Sequence, residues 1–302
     1  MSELPNPDRT LYVIDGTAML FRSYFGKIQK TRADGVEVGA VLGLCMAVTK
    51  FIQVVQPSYL AAVFDAARLT FRNEIDPRYK ANRGDPPEDL VPQFPLAGEA
   101  LKALGIQCFS KVGYEADDLM ATLATQMENM EFQTVLAAAD KDLLQCIRPG
   151  VWGLDMKTYG LIGDAEVKAK FGVFPSQMAD LQALVGDSTD NVPGVKGVGA
   201  KGASILLQEL GSLDEIYRRL EDVPYLPVRG AKSLARKLGE GREDAQLALQ
   251  LVTLRDDVPY EALNLITPPD LRYRGAPASG EAFFDEMGFH RAYRTLRAWG
   301  EE

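Results

Sequence analysis

Two kinds of hydrophobic pattern alternate in the first half of the chain. Short runs of consecutive apolar residues predict buried strands, and stretches whose apolar residues recur at helical spacing predict helices. The predicted strands are Leu11–Ile14, Tyr59–Phe64, Ile106–Phe109 and Thr134–Ala138, and the predicted helices are Gly39–Val55, Pro92–Leu104 and Glu115–Met130. A hairpin is predicted within Val151–Ile162, with its turn at Tyr159 and Gly160. Because strands that alternate with helices pair in parallel, the pattern predicts an α/β fold with a mostly parallel central sheet flanked by helices.

The strand pattern stops near residue 175, and short helical patterns separated by glycine and proline follow. They cover Pro175–Val185, Ala200–Leu210, Leu213–Leu220, Ala231–Leu238 and Arg242–Leu254, and a last helix is predicted over Glu281–Trp299. We therefore predict two portions, an α/β core over residues 1–174 and a helical portion over residues 175–302.

The composition is that of a globular protein with an acidic balance. Of the 302 residues, 33 are Lys or Arg, 42 are Asp or Glu, and the net charge is −9. No apolar run approaches the roughly 20 residues of a membrane-spanning helix, and Met1–Arg9 lacks the pattern of a secretory signal. Three widely spaced cysteines suit a reducing cytoplasm. An acidic total argues against nucleic acid as a ligand, unless the acids are concentrated at one place.

The single histidine, His290, restricts the possible chemistry. A Ser-His-Asp triad or a histidine-based zinc site would have to include it. It lies in the predicted last helix, where a surface or packing role is the simpler interpretation. An enzyme built from this sequence would therefore use carboxylates, which select hard cations such as Mg²⁺ or Mn²⁺.

Nine acids are candidates for such a site. Asp15, Asp65 and Asp140 follow three predicted strands, whose carboxyl ends meet at one edge of a parallel sheet. The others are Glu115, Asp117, Asp118, Asp142, Asp187 and Asp190. A single acid in such a place is commonly a turn or cap residue. Two carboxylates about 4 Å apart repel by roughly 4 kcal/mol at an effective dielectric constant near 20, so a cluster predicts bound cations. Two divalent ions are a known arrangement for phosphodiester cleavage.

A glycine-rich stretch follows these acids. Gly197-Val198-Gly199 lies between two predicted helices, Gly194 precedes it, and Lys196 and Lys201 flank it. Backbone N–H groups at a helix N-terminus can hold a phosphate, although a lone Gly-x-Gly is usually a turn. The flanking lysines, and a sequence without acids between Val192 and Gln208, favour binding of a phosphate backbone.

A second basic stretch follows Asp65. Between residues 66 and 83 two acids stand against five bases, which are Arg68, Arg72, Arg78, Lys80 and Arg83. Phe71 and Tyr79 lie among them and offer either stacking faces for exposed nucleobases or rings for the core. A solvated surface loop is the alternative, but the position directly after Asp65 favours an element that grips a substrate.

In order, along nearly the whole chain, these segments resemble the 5′ nuclease family, which includes the 5′→3′ exonuclease domain of bacterial DNA polymerase I, phage 5′ nucleases and flap endonucleases. The matching segments are Val13–Gly16, Val63–Asp65, Phe71–Arg72, Tyr79–Arg83, Gly113–Asp118, Ala138–Gln145, Gly186–Gly199 and Leu254–Pro259. The resemblance implies an α/β nuclease core and a helix-hairpin-helix near residues 186–210. Because the chain ends just after the nuclease-like region, a stand-alone nuclease without a polymerase domain is expected.

The resemblance also implies roles for the acids. Acids that match Asp15, Asp65, Glu115 and Asp117 serve mainly one metal ion in the family. Acids that match Asp118, Asp140, Asp142, Asp187 and Asp190 serve a second ion or its surroundings.

The basic and glycine residues receive DNA-binding roles from the same resemblance. Matches to Arg72, Lys80 and Arg83 lie in a helical arch, here residues 66–95, that takes the 5′ strand and steadies the scissile phosphate. Further expected DNA contacts are Arg22, Arg68, Arg78 and Tyr79. The helix-hairpin-helix grips the duplex backbone, often with a bound K⁺, and its matches are Gly194, Lys196, Gly197, Gly199 and Lys201.

The function expected from the sequence is a structure-selective 5′ nuclease. It would hydrolyse phosphodiester bonds at 5′ flaps and ends of DNA, and in RNA primers on DNA, with two divalent cations, Mg²⁺ or Mn²⁺. It is expected to be a monomer in the cytoplasm. A branched-DNA-binding protein with little catalysis and a magnesium-dependent RNase are the alternatives.

Overall fold

The computed structural model describes residues 5–138 and 140–299, so Ala139 and the outermost residues of the two predicted portions lie outside the described residues. Within them the strands are β1 (Thr10–Asp15), β2 (Tyr59–Phe64), β3 (Gln107–Ser110), β4 (Gln133–Ala137), β5 (Val151–Leu154) and β6 (Leu161–Ile162). They form one sheet in the order β3-β2-β1-β4-β5-β6. Neighbouring strands are parallel except for β5 and β6, which form the predicted hairpin.

This sheet confirms the predicted α/β fold. β1 is central, with Leu11 opposite Tyr59 of β2 and Thr134 of β4. Leu11 and Ile14 are both fully buried, as expected for a parallel strand that is covered on both faces. The strand order reverses between β1 and β4, and ligands bind at such a reversal outside the carboxyl ends of the strands.

The helices cover both faces of the sheet and continue beyond it. They are α1 (Gly16–Phe25), α2 (Gly39–Val55), α3 (Phe71–Ile75), α4 (Gln93–Ala103), α5 (Ala116–Asn129), α6 (Asp164–Phe171), α7 (Met178–Val185), α8 (Ala200–Leu210), α9 (Leu213–Arg218), α10 (Ala231–Glu240), α11 (Arg242–Val252), α12 (Glu261–Asn264), α13 (Glu281–Met287) and α14 (Arg291–Trp299). The bounds of α2 and α8 are those predicted. No helix among the described residues is both long enough and apolar enough to cross a membrane.

The structure differs from the sequence-based expectation at several helices, and α3, α6 and α12 are among those that were not predicted. Helix α1 was not predicted; it buries Met19 and Leu20, and its first turn is capped by the Asp15 side chain. The single last helix predicted over Glu281–Trp299 is wrong. Gly288 adopts a φ of +69°, and this left-handed residue ends α13 before α14 begins.

Apolar side chains of the described residues form three clusters. One packs beneath α1, α2, α4, α13 and α14 on one face of the sheet, and another packs beneath α5 on the opposite face. The third lies within the helical portion between α6 and α11. Tyr79, Leu144 and Ile147 also pack into this third cluster, so the arch segment and the edge of the sheet are attached to the helical portion.

Candidate active site

Backbone N–H groups of the adjoining helices hold the acids at the carboxyl edge of the sheet. Asp15, the last residue of β1, accepts a hydrogen bond from the Ala18 N–H at 2.8 Å. Asp65 follows β2, and its Oδ1 accepts a hydrogen bond from the Ala116 N–H, in the first turn of α5, at 2.8 Å. Asp15 is therefore the N-cap residue of α1, whereas Asp65 accepts from the first turn of α5, and these hydrogen bonds also fix their carboxylates at the edge where β1 and β2 end.

Six carboxylates share this edge and are called the acid cluster below: Asp15, Asp65, Glu115, Asp117, Asp140 and Asp142. Burial, and then repulsion from Asp65 and Asp140, raises the pKa of Asp15 to about 7. Burial and repulsion from Asp15 raise the pKa of Asp117 well above its ordinary value. Burial and repulsion from Asp140 raise the pKa of Asp142 to about 6. Burial is the largest cause of each shift, and repulsion between neighbouring carboxylates adds to it in the same direction.

Five carboxylates of the acid cluster accept hydrogen bonds from protein donors: Asp15, Asp65, Glu115, Asp140 and Asp142. Across residues 5–138 and 140–299, no three acidic, cysteine or histidine side chains are already arranged around one point as metal ligands. Their chemistry nevertheless restricts the choice of ligand, because carboxylate oxygens are the donors that hard divalent cations select.

Two bases of the arch segment (residues 66–95) lie against the acid cluster. The Lys80 ammonium is 2.8 Å from Glu115 Oε1 and 3.8 Å from Asp190 Oδ2. Although burial disfavours the ammonium, the Glu115 carboxylate raises the pKa of Lys80 above its ordinary value, so Lys80 stays charged. Arg83 pairs with Asp190. The structure thus brings both predicted arch bases to the edge of the site.

Arg72 and Asp118 form a buried ion pair, with exposed side-chain fractions of 1% and 0%. Arg72 Nη1 and Nη2 donate to Asp118 Oδ2 and Oδ1 at 2.7 and 2.8 Å. Asp118 also accepts hydrogen bonds from the Glu115 N–H at 3.0 Å and the Arg255 N–H at 2.9 Å. Each Asp118 oxygen therefore already has two donors. Asp118 therefore lies in the surroundings of the acid cluster, which is one of the two roles expected for it, and the Arg72 guanidinium is buried against it, away from the surface that a phosphate would approach.

Tyr79 is also placed differently from the expected stacking role. Its ring is buried, and its hydroxyl donates to Glu115 Oε2 at 3.1 Å, so no face is open to a nucleobase. Arg68 and Arg78 are exposed but paired within the arch segment, with Asp85 and Asp76 respectively. Arg22 lies exposed in the last turn of α1.

Asp187 and Asp190 lie in the loop after α7, next to the acid cluster. Asp187 Oδ2 is 2.7 Å from Lys141 Nζ. Burial alone would raise the pKa of Asp187, but the hydrogen bonds from Lys141 and Thr189 and the Lys141 charge together outweigh it, and the pKa is lowered. Asp190 is buried and has Arg83 and Lys80 as partners. Both carboxylates are thus already paired with bases, as Glu115 of the acid cluster is with Lys80.

The predicted helix-hairpin-helix consists of α7, the hairpin loop (residues 186–199) and α8. The Val195 N–H donates to the Leu184 carbonyl at 2.9 Å and so folds the loop back onto α7. Gly199 precedes the first turn of α8, where N–H groups have no helical acceptor. Lys196 and Lys201 are exposed on either side of this turn. The loop therefore presents positive charge and a helix N-terminus together.

Two family models divide most of the chain between them. Residues 10–172 match the model for the 5′-3′ exonuclease N-terminal resolvase-like domain, and residues 173–274 match the model for the 5′-3′ exonuclease C-terminal SAM fold. The chain belongs to the 5′-3′ exonuclease family. The resemblance seen in the sequence is confirmed.

Relatives of this exonuclease-family chain have two different lengths. It is 32% identical over 250 residues to the 5′-3′ exonuclease of Buchnera aphidicola subsp. Acyrthosiphon pisum, and the match covers 82% of the chain and 87% of that relative. It is 39% identical over 259 residues to DNA polymerase I of Rhizobium leguminosarum, covering 83% of the chain and 25% of that relative. The chain spans 25% to 33% of the length of the DNA polymerase I relatives it matches.

The fold is similar to that of a solved phage nuclease. The bacteriophage T5 flap endonuclease, in a pseudo-enzyme–product complex with DNA and metal ions, matches with a TM-score of 0.65 and 21% identity. The match covers 97% of this chain and all of that one, at 100%.

Three residues of the exonuclease site were not among the sequence candidates. Lys141 lies between Asp140 and Asp142, so its position was a signal that could have identified it as a counter-charge. Gln182, buried on α7, donates to Asp142 Oδ1, and no motif marks it. Asn191 contacts the arch segment through its side chain, which only the folded chain reveals.

Proposed function

We propose that the chain is a structure-selective 5′ nuclease that hydrolyses phosphodiester bonds at 5′ flaps and ends of DNA, and in RNA primers paired to DNA. The observation that carries the proposal is the acid cluster at the carboxyl edge of the sheet, where the strand order reverses and Lys80 and Arg83 border it. Membership of the 5′-3′ exonuclease family supports the polarity.

The acid cluster fits divalent cations by its chemistry. Its donors are all carboxylate oxygens. The pKa values of Asp15, Asp117 and Asp142 are raised first by burial and then by repulsion from neighbouring acids, and bound cations would relieve that repulsion. We propose that the six cluster carboxylates hold two ions, Mg²⁺ or Mn²⁺, with Asp187 and Asp190 outside them. Such ions supply an activated water and stabilise charge on a phosphate.

The chain's own bases then act on the DNA. Lys80 and Arg83 lie where a scissile phosphate would approach the acid cluster, and they offer it charge-assisted hydrogen bonds. Glu115 is held in place from two sides, by the Tyr79 hydroxyl at 3.1 Å and by Arg72 Nη1 at 3.5 Å. A carboxylate fixed in this way needs no reorganisation when substrate binds.

The helix-hairpin-helix is the proposed grip on the duplex. Lys196, Lys201 and the N-terminus of α8 would contact backbone phosphates, and a K⁺ at the hairpin loop would add a further positive charge. Arg22 is a further proposed contact. We propose a monomer in the cytoplasm, where the three free cysteines of the chain would stay reduced.

The test is cleavage of a duplex with a 5′-labelled flap. We expect cutting with Mg²⁺, no cutting with EDTA, and a loss of about 100-fold or more in Asp117→Asn, because a ligand to the proposed cations is removed. Asp214→Asn, at an exposed position in α9, is the matched control and should cut normally. Full activity of Asp117→Asn would overturn the metal assignment.

The products separate the remaining alternatives. A labelled mononucleotide indicates exonuclease action, and an intact released flap indicates endonuclease action. A gel shift without cutting would favour a DNA-binding protein, and cutting of RNA flaps alone would favour an RNase.

A further inference from the structure

The hairpin loop and the arch segment are joined by hydrogen bonds that lie outside the acid cluster. Asn191 Nδ2 donates to the Arg78 carbonyl at 2.7 Å. The Lys80 N–H donates to the Asp190 carbonyl at 2.9 Å, and Asn82 Nδ2 donates to the Ser188 carbonyl at 2.9 Å. Segments separated by more than a hundred residues in sequence are therefore held together along a short common border.

The backbone at this border is unusual on both sides. Lys80 has a φ of +55° and Asn191 has a φ of +56°. Asparagine tolerates this left-handed conformation, whereas lysine adopts it only where its surroundings enforce it. For Lys80 the enforcing contacts are its N–H bond to the Asp190 carbonyl and its ammonium contact with Glu115. The loop that carries Asn191 therefore helps to set the conformation of the lysine at the acid cluster.

We propose that Asn191 is a positioning residue that couples the hairpin loop to Lys80. The proposal rests on the proposed function, since it concerns the same nuclease site. A duplex gripped by Lys196 and Lys201 immobilises the hairpin loop, and the amide of Asn191 transmits this order to the Arg78 carbonyl, two residues before Lys80. These hydrogen bonds hold Lys80 at the acid cluster before DNA binds, and a seated duplex would strengthen this placement, which favours cutting near a junction between duplex and single strand.

Asn191→Gly tests this coupling because glycine readily adopts the left-handed backbone and removes the amide side chain, and its added backbone freedom is matched by the control below. We expect the single-turnover rate on a flap, at saturating enzyme with Mg²⁺, to fall about 3- to 10-fold, the loss expected from one hydrogen bond. The dissociation constant of the flap, measured in EDTA, should stay within about twofold, since the residue positions Lys80 and does not hold DNA. The matched control is Gln56→Gly, an exposed residue with a φ of 54° at the end of α2, on the opposite edge of the sheet.

A second measurement uses neither DNA nor metal. Trypsin can cut the arch segment after Arg78, Lys80 and Arg83, and its rate follows local opening when opening is fast. We expect Asn191→Gly to be cut there about 3- to 10-fold faster than wild type and Gln56→Gly to be cut at the wild-type rate.

The two measurements separate the possible failures. A wild-type protein that cuts no flap would overturn the proposed function, while the tryptic comparison would still show whether Asn191 holds the arch segment. Unchanged tryptic cleavage in Asn191→Gly overturns the coupling. A flap affinity that falls by the same factor as the rate also overturns it, because Asn191 would then be a direct DNA contact.

Discussion

Asp117 and Asp118 are adjacent in the chain but lie in opposite environments. The Asp117 carboxylate faces Asp15 and Asp140, and the Asp118 carboxylate is enclosed with Arg72 beneath the site. Successive side chains of a helix point about 100° apart. In the first turn of α5, Asp117 therefore points to the acid cluster and Asp118 points into the interior. Two identical residue types thereby serve different purposes, one in the acid cluster and one in its support.

The buried pair predicts a large effect on stability. Asp118→Asn removes the closer of the two carboxylates that pair with the buried Arg72 and leaves only Glu115, at 3.5 Å, so we expect the free energy of unfolding to fall by about 3–5 kcal/mol. The matched control is Asp257→Asn, which breaks an exposed pair with Arg255 and should cost about 0–1 kcal/mol. Urea unfolding in EDTA measures both. Similar small losses in the two variants would show that the Arg72–Asp118 pair does not support the fold.

Asp15 predicts a pH dependence of definite sign. Burial and then repulsion from Asp65 raise its pKa to about 7 in the folded protein, against roughly 3.9 in an unfolded chain. Between these values the folded state binds more protons than the unfolded state, so this contribution to stability falls as pH rises from about 4 to about 7. Asp142 contributes in the same sense up to about pH 6.

Melting temperatures in EDTA across this range measure the effect. Asp15→Asn removes the titrating group and keeps a capping side chain for α1, so its melting temperature should gain on that of wild type as the pH rises. A constant difference between the two proteins across the range would contradict the prediction.

At the scale of elements, the absence of a side chain at Gly194 lets the hairpin loop approach the end of α7 closely. A Cβ at Gly194 would overlap backbone atoms of Val185 and Gly186, which cannot move without displacing α7. At Gly202, inside α8, a Cβ would meet nothing within 4 Å. Replacement of glycine by alanine is therefore expected to have opposite effects on stability at these two positions, which lie eight residues apart.

We expect Gly194→Ala to lower the free energy of unfolding by about 1–3 kcal/mol through overpacking, and to weaken flap binding because the hairpin loop is displaced. Gly202→Ala should raise stability by about 0.5–1 kcal/mol, since alanine is the better helix former. Thermal unfolding and fluorescence anisotropy with a labelled flap provide the two readouts. Equal behaviour of the two variants would show that the close approach at Gly194 has no importance.

Helices with a regular apolar pattern could be predicted from the sequence. Helix boundaries that depend on a single residue could not. α2 and α8 show clear helical spacing, and both were placed correctly. α1 follows a strand that ends in Asp15, and the same side chain both caps the helix and belongs to the acid cluster. The break at Gly288 was missed because apolar residues continue at helical spacing on both sides of it.

At the scale of the whole molecule, the excess negative charge corresponds to the acids predicted at one site. The number of predicted site acids, nine, equals the excess of 42 acids over 33 bases. Phosphate binding is therefore compatible with a net charge of −9, provided that it takes place away from the acid cluster, at the hairpin loop and arch segment.

This separation predicts a salt-dependent affinity for DNA. The logarithm of the flap association constant should fall linearly with the logarithm of KCl concentration, and Lys201→Gln should reduce the slope by about 1. Lys50→Gln is the matched control, because Lys50 is exposed on α2 at the opposite edge of the sheet. Anisotropy titrations in EDTA measure the slopes. A slope that is the same in wild type and Lys201→Gln would place the phosphate contacts elsewhere.

The sequence by itself determined the α/β class, the family and the set of acids that follow strands, because these depend on periodicity and on the fact that parallel strands end at one edge. Only the tertiary structure decided which charged residues lie at the acid cluster and which are buried beside it. Arg72 and Asp118 match the family pattern as well as Lys80 and Asp117 do, but the first two are buried against each other. The partners of a side chain depend on the direction in which its helix turns it and on contacts between distant segments, such as that of Asn191 with the arch segment. Both are fixed only in the folded chain.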